Sequence, residues 1–125
     1  MRLLLDTHVI LWWLDDSPSL SEATRKAIAD GSNLVCISSV SIWEIVIKQA
    51  LKKLVVPDDF RAVLAEEPFR FLDMTIDHAF AVGQLPDFHK DPFDRVLIAQ
   101  CKVEDLTLVS KDSNMKRYGI PVLDA

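Results

Sequence analysis

Glycine and cysteine are both scarce in this chain, with three and two residues in 125. So few glycines leave few flexible joints, and there is no Gly/Ser linker, internal repeat or low-complexity segment to divide the chain. The cysteines, Cys36 and Cys101, sit in the apolar runs LVCIS and IAQCKV and form no CxxC pair. A disulfide framework or zinc site is therefore not expected; two small buried thiols are, as suits a reducing cytosol. No apolar run is long enough to cross a membrane. MRLLLDTHVILWWL comes nearest but is broken by Asp6 and His8. It also lacks a small-residue cleavage site, so no signal peptide is expected.

What is present describes a globular protein: 50% hydrophobic and 26% charged residues. The length suits one domain, residues 1–125, able to bury a core without covalent staples. The formal net charge is −5, which taken alone argues against a polyanionic partner.

Strand-like and helix-like segments alternate. Leu3 to Leu5 forms a short apolar run, and Thr7 is placed to cap a helix through Leu14. Ser19 or Ser21 opens a second helix, with Ser19 and Glu22 in a capping-box pattern and Gly31 as its stop. Leu34 to Ile37 reads as a strand, and Ser39 to about Leu54 as a long, largely apolar helix. Pro57, followed by Asp58 and Asp59, signals a helix start; Phe69 to Leu72 reads as a strand. Thr75 caps a helix to about Leu85, and Asp91 with Pro92 opens one to about Glu104. Leu106 to Val109, a helical turn from Asp112 to Arg117, and a strand at Pro121 to Leu123 complete the series. This alternation predicts an α/β domain with a mainly parallel sheet flanked by helices. The runs LLL, LVCI and LTLV suit strands buried on both faces. Functional crevices in such sheets lie beyond the carboxyl ends of the strands, where Asp6 and Asp112 fall.

Four acids are the candidates for chemistry. Asp6 reads either as a carboxylate serving a helix N-terminus or as a functional group. Glu44 lies in SVSIWEIVIKQAL, a helix with little polar circumference. It either pairs with Lys48 at i,i+4 or serves a cation. In HKDPFDRVLIAQ, Asp91 is well explained as an N-cap, whereas Asp94 immediately precedes Arg95 and the run VLIA and is less fully explained by capping. Asp112, alone, reads as an Asx-turn or N-cap residue. His8, His78 and His89 show no metal-ligand spacing and read as surface or packing residues, with His89 and Lys90 as candidates to touch phosphate. No Ser–His–Asp or Cys–His set stands out.

The four acids together make a different case. Hard cations such as magnesium and manganese take oxygen ligands, and converging carboxylates can hold one or two of them. Two such ions can activate water and stabilise the leaving oxygen of a phosphodiester. Nineteen acidic residues less these four leave 15 against 14 basic ones, a net of −1. The remaining surface would then tolerate a polyanion, with Lys48, Lys90, Arg95, Lys111, Lys116 and Arg117 as candidate phosphate contacts.

LLLDTHVILWWL, SSVSIWEIVIK, HKDPFDRVLIAQ and LTLVSKD together resemble the PIN-domain family, and within it the VapC-type toxin branch of bacterial type II toxin–antitoxin systems. The resemblance covers essentially the whole chain, with four segments in order and register. It implies a parallel sheet flanked by helices, a negatively charged magnesium pocket in which manganese can substitute, and cytoplasmic endoribonuclease activity on RNA. The family's acids match Asp6, Glu44, Asp94 rather than Asp91, and Asp112. Ser38 matches a frequent small hydroxyl position and is carried, with Asp91, as a support residue. The resemblance also implies a homodimer and a cognate antitoxin that blocks the pocket, and no membrane partner. The alternative from another class is a phosphoacceptor module like a response-regulator receiver. That reading wants paired acids near the first strand, a phosphoacceptor Asp near mid-chain and a late Lys, whereas the mid-chain acid here is Glu44, inside a helix.

Overall fold

Leu3, Leu4 and Leu5 have no solvent exposure at all in the computed structural model, which describes residues 1–125. They form β1 (Arg2–Leu5), the central strand of a five-stranded sheet. The others are β2 (Leu34–Ser38), β3 (Arg70–Leu72), β4 (Thr107–Ser110) and β5 (Val122–Asp124). The order is β3-β2-β1-β4-β5, and every pairing is parallel. Alternate side chains go to opposite faces. Leu4, Cys36 and Leu108 join Leu97, Ile98 and Tyr118 in one core; Leu3, Leu5, Val35, Ile37 and Val109 join Val9, Ile10 and Ile28 in the other. Both cysteines are buried and free. No helix is long and apolar enough to cross a membrane.

Six helices cover the faces: α1 (Thr7–Leu14), α2 (Glu22–Ala29), α3 (Ser39–Ala50), α4 (Phe60–Ala65), α5 (Ile76–Val82) and α6 (Pro92–Glu104). A 3₁₀ turn spans Ser113–Tyr118. The alternation read from the sequence is therefore present, and the sheet expected to be mainly parallel is wholly so. Several boundaries differ. Asp6, not Thr7, caps α1: its backbone is extended and its carboxylate accepts the Thr7 N–H. Ser21 caps α2 by accepting from Thr24 N–H, so Glu22 falls at the first helical position and the Ser19–Glu22 box does not form.

The helix expected to reach Leu54 stops at Ala50. Lys52 turns into the left-handed region at φ 59°, Lys52 N–H donates to Gln49 O, and Lys53 N–H donates to Lys48 O. That is a Schellman ending with lysine where glycine is usual. Pro57 does not begin a helix; Phe60 N–H donates to Pro57 O in a preceding turn, and α4 starts at Phe60.

The order of strands changes direction between β1 and β4. From β1 the chain moves outward through β2 and β3, then crosses back to β4 and β5. A crevice opens beyond the carboxyl ends of strands at such a point. Asp6 follows β1, Ser38 ends β2 and Ser110 ends β4, so all three lie at its rim.

Candidate active site

Asp6 is held from two strands. Its Oδ1 accepts the Thr7 N–H at 2.7 Å and its Oδ2 accepts the Ser110 hydroxyl at 2.7 Å, while its own N–H donates to Val109 O. The side chain is buried, and desolvation raises its pKa above the ordinary value, partly offset by the Ser110 and Thr7 bonds. Glu44 adds a smaller upward push.

Glu44 faces inward from α3 and is only 5% exposed. Its Oε1 accepts the Thr7 hydroxyl at 2.7 Å and its Oε2 meets Lys48 Nζ at 2.5 Å. Thr7 Oγ1 also lies 3.1 Å from Ser41 Oγ, so a small polar cluster is enclosed between α1 and α3. The i,i+4 pair read from the sequence is thus present.

Asp94 sits in the first turn of α6. Its neighbour Asp91 caps the helix, accepting Phe93 N–H at 2.8 Å and Asp94 N–H at 3.2 Å. The Asp94 carboxylate itself receives no hydrogen bond and no ion pair. It is pushed up to about 7, first by desolvation and then by the charges of Asp6, Asp91 and Glu44, with His89 opposing. Those causes place the three acids from β1, α3 and α6 within one electrostatic neighbourhood.

Asp112 has partners of its own. Its Oδ1 caps the 3₁₀ turn by accepting Asn114 N–H at 2.9 Å, and its Oδ2 lies 3.1 Å from His89 Nε2. Two residues join it to the others. Ser110 Oγ accepts Asp112 N–H at 3.0 Å while donating to Asp6, and His89 acts on Asp94 while its Nδ1 lies 3.1 Å from Tyr118 Oη.

No three His, Cys, Asp or Glu side chains converge as a ready metal cage. Both Glu44 oxygens and both Asp112 oxygens instead have hydrogen-bond partners within the chain. The donor chemistry nonetheless suits a hard divalent cation. The groups are carboxylate oxygens, and the Asp94 pair is unpartnered and burdened by like charges.

Sequence reasoning gave no site role to Thr7, Ser41 or Ser110: Thr7 orients Glu44, Ser110 orients Asp6, and Ser41 meets the Thr7 hydroxyl. Ser38 is buried and caps α3, accepting Val40 N–H at 3.1 Å. Arg95 is engaged locally, donating to the carbonyls of Pro86, His89, Val82 and Leu85. Lys90, Lys111, Lys116 and Arg117 are exposed. Lys111 lies over the Trp12 ring, Arg117 over the Phe88 ring, and Lys116 reaches Asp124 at 3.4 Å.

The PIN domain family model matches residues 3–121. Ribonuclease VapC22 of Mycobacterium tuberculosis (strain ATCC 25618 / H37Rv) is 29% identical over 121 residues, covering 94% of this chain and 92% of that protein. Among solved structures, DNA-bound VapBC from Salmonella typhimurium aligns with a TM-score of 0.76 at 21% identity, covering 99% of this chain and 98% of that one. VapBC2 from Rickettsia felis, bound to a promoter DNA fragment, aligns at 0.75 and 17% identity, covering 98% of each chain. At these identities the structural likeness speaks for the fold.

Proposed function

The chain belongs to the PIN domain family, and from that premise we propose that it is a metal-dependent endoribonuclease, the toxin of a type II toxin–antitoxin pair. The observation that carries the proposal is Asp94. It is a carboxylate without a donor, held in a partly buried crevice beside Asp6 and Glu44, with its pKa near 7. Carboxylates brought together repel one another, and a bound cation relieves that repulsion at the one acid that has no partner of its own.

Asp6 and Asp94 would be the principal ligands of magnesium or manganese, with Glu44 and Asp112 completing the site directly or through water. When bound, the divalent cation supplies positive charge for the phosphodiester and acidifies water as a nucleophile. The chain's own groups prepare that site. Ser110 and the Thr7 N–H fix the Asp6 oxygens, and the Thr7 hydroxyl fixes one oxygen of Glu44. His89 steadies Asp112 against Tyr118, and Arg95 steadies the segment that carries His89. Exposed Lys90, Lys111, Lys116 and Arg117 would meet the RNA backbone, which they read as charge, not as sequence.

The similarity to proteins described as VapBC supports a cognate antitoxin as partner. An apolar groove of 570 Å³, lined by Ile42, Ile45, Val46, Phe60, Leu64 and Phe71 among others, offers a seat beside α3. A homodimer and a cytosolic setting belong to the same reading; the two free buried thiols suit the latter. The receiver-like alternative is not favoured. The mid-chain acid that reaches the crevice is Glu44, inside a helix and enclosed by Thr7 and Lys48, where that reading wants an aspartate open to phosphorylation.

The test is RNA cleavage by the purified chain in magnesium and in EDTA. Cleavage that needs the metal and disappears in Asp6→Asn and Asp94→Asn supports the proposal. Undiminished cleavage by Asp94→Asn rejects this metal site.

A further inference from the structure

The acids of the crevice are unequally provided for. Asp94 forms no ion pair, whereas Glu44 has Lys48 one helical turn away, with Nζ 2.5 Å from Oε2. Glu44 is almost wholly buried, so its negative charge needs a counter-charge wherever the chain folds without a divalent ion. Lys48 meets that need from an open position. Its side chain is 36% exposed, and its ammonium, which could satisfy three partners, is hydrogen-bonded to Glu44 alone. A lysine stem anchored on a helix can carry its head into water without disturbing the core. The charges of Asp91 and Asp94 add to the hold of Glu44 on its ammonium. The Thr7 hydroxyl on Oε1 holds the carboxylate in place whether or not Lys48 remains.

We propose that Lys48 is a tethered counter-ion, which occupies the place of the divalent cation at Glu44 and swings out when that cation enters. This rests on the metal-dependent reading above and adds to it a competitor built into α3. A purely structural ion pair would hold its lysine whatever the metal content. A tethered competitor lowers metal affinity by an amount set by the strength of the pair. It exchanges a single charge for a double one beside Asp94, and leaves an ammonium at the rim where phosphate would arrive.

The experiment is calorimetric titration of the full chain with Mn²⁺, for wild type, Lys48→Met, Glu44→Gln and the double variant. Lys48→Met is expected to bind Mn²⁺ about fivefold tighter than wild type, the factor for losing a partly exposed ion pair. In the Glu44→Gln background the same substitution is expected to change affinity little, because the contested carboxylate is gone. Equal tightening in both backgrounds would reduce Lys48 to a contributor to the general field and overturn the proposal. So would unchanged or weaker binding by Lys48→Met while wild type still takes up the ion. No uptake by wild type would overturn the metal-dependent reading itself, and this inference with it. If Lys48→Met does not fold, wild type decides alone. The Lys48 ammonium resonance in a Mg²⁺ titration should shift and its protons exchange faster as the ion binds, and an unmoved resonance at saturation overturns the exchange.

Discussion

Ser110 donates its hydroxyl to Asp6 Oδ2 at 2.7 Å, joining the carboxyl ends of β4 and β1 across 104 residues of chain. The same Ser110 oxygen accepts Asp112 N–H at 3.0 Å. One buried hydroxyl thus orients one acid and anchors the turn that carries another. Ser110→Ala should cost about 1–3 kcal/mol, since the Asp112 amide and the Asp6 oxygen lose a partner together. Cleavage should fall more than stability alone explains. Denaturant melts combined with activity per folded molecule measure the two separately; a variant as active as wild type would deny Ser110 its orienting role.

Asp94 sets a stability cost that depends on pH. Its carboxyl moves from the ordinary 3.8 to about 7 in the folded chain. Between those values the folded state holds a proton that the unfolded state has released, so stability falls as pH rises through the interval and levels off above it. At face value the displacement is about 4 kcal/mol; with solvent screening of this half-open side chain we expect about 2 kcal/mol. In EDTA at pH 8, Asp94→Asn should therefore be more stable than wild type and have a flatter pH profile, while cleaving no RNA. Divalent-ion affinity of wild type should weaken as pH drops below 7, because the ion and the proton compete for one carboxylate. Thermal melts across pH with and without metal check both statements.

What could be read from the sequence depended on how local the cause was. α6 was legible at its start, because Asp91 and Pro92 form a start signal within two residues. The end of α3 was not, since it rests on Lys52 adopting a left-handed backbone that composition gives no reason to expect. The strand runs were visible as apolar clusters, whereas their order arises from crossovers that no local signal encodes. The acids of the crevice stood out because Glu44 interrupts an apolar helix and Asp94 precedes an apolar run. Their supports did not. Thr7, Ser41 and Ser110 are ordinary hydroxyl residues until α1, α3 and β4 are brought together.

Arg95 separates structural from electrostatic work. One guanidinium nitrogen donates to Pro86 O at 2.8 Å and His89 O at 3.3 Å, the other to Val82 O at 3.2 Å and Leu85 O at 3.4 Å. Lysine cannot reproduce that fork. Arg95→Lys should lose about 2 kcal/mol and speed hydrogen exchange in residues 83–90. Its RNA binding should keep the salt dependence of wild type, whereas removing a phosphate contact lowers the slope by about one. A reduced slope with unchanged exchange would return Arg95 to the RNA-binding surface.

Asp91 and Asp94 lie three residues apart on α6 and should behave as opposites. Asp91 works through its cap, accepting the Phe93 and Asp94 amides, and asparagine caps about as well as aspartate. Asp91→Asn should therefore keep near-wild-type stability, and Asp91→Ala should lose about 1 kcal/mol. Asp91 also raises the Asp94 carboxyl through its charge, so either substitution should move the Asp94 titration downward. Each variant should still cleave RNA in magnesium, because the proposed ligand is untouched. Carboxyl titration by NMR, a melt and a cleavage assay on the two variants and Asp94→Asn give the comparison. Loss of cleavage in Asp91→Asn with its fold intact would mean that Asp91 itself serves the cation, and that the metal-binding acid of α6 lies at its cap and not in its first turn.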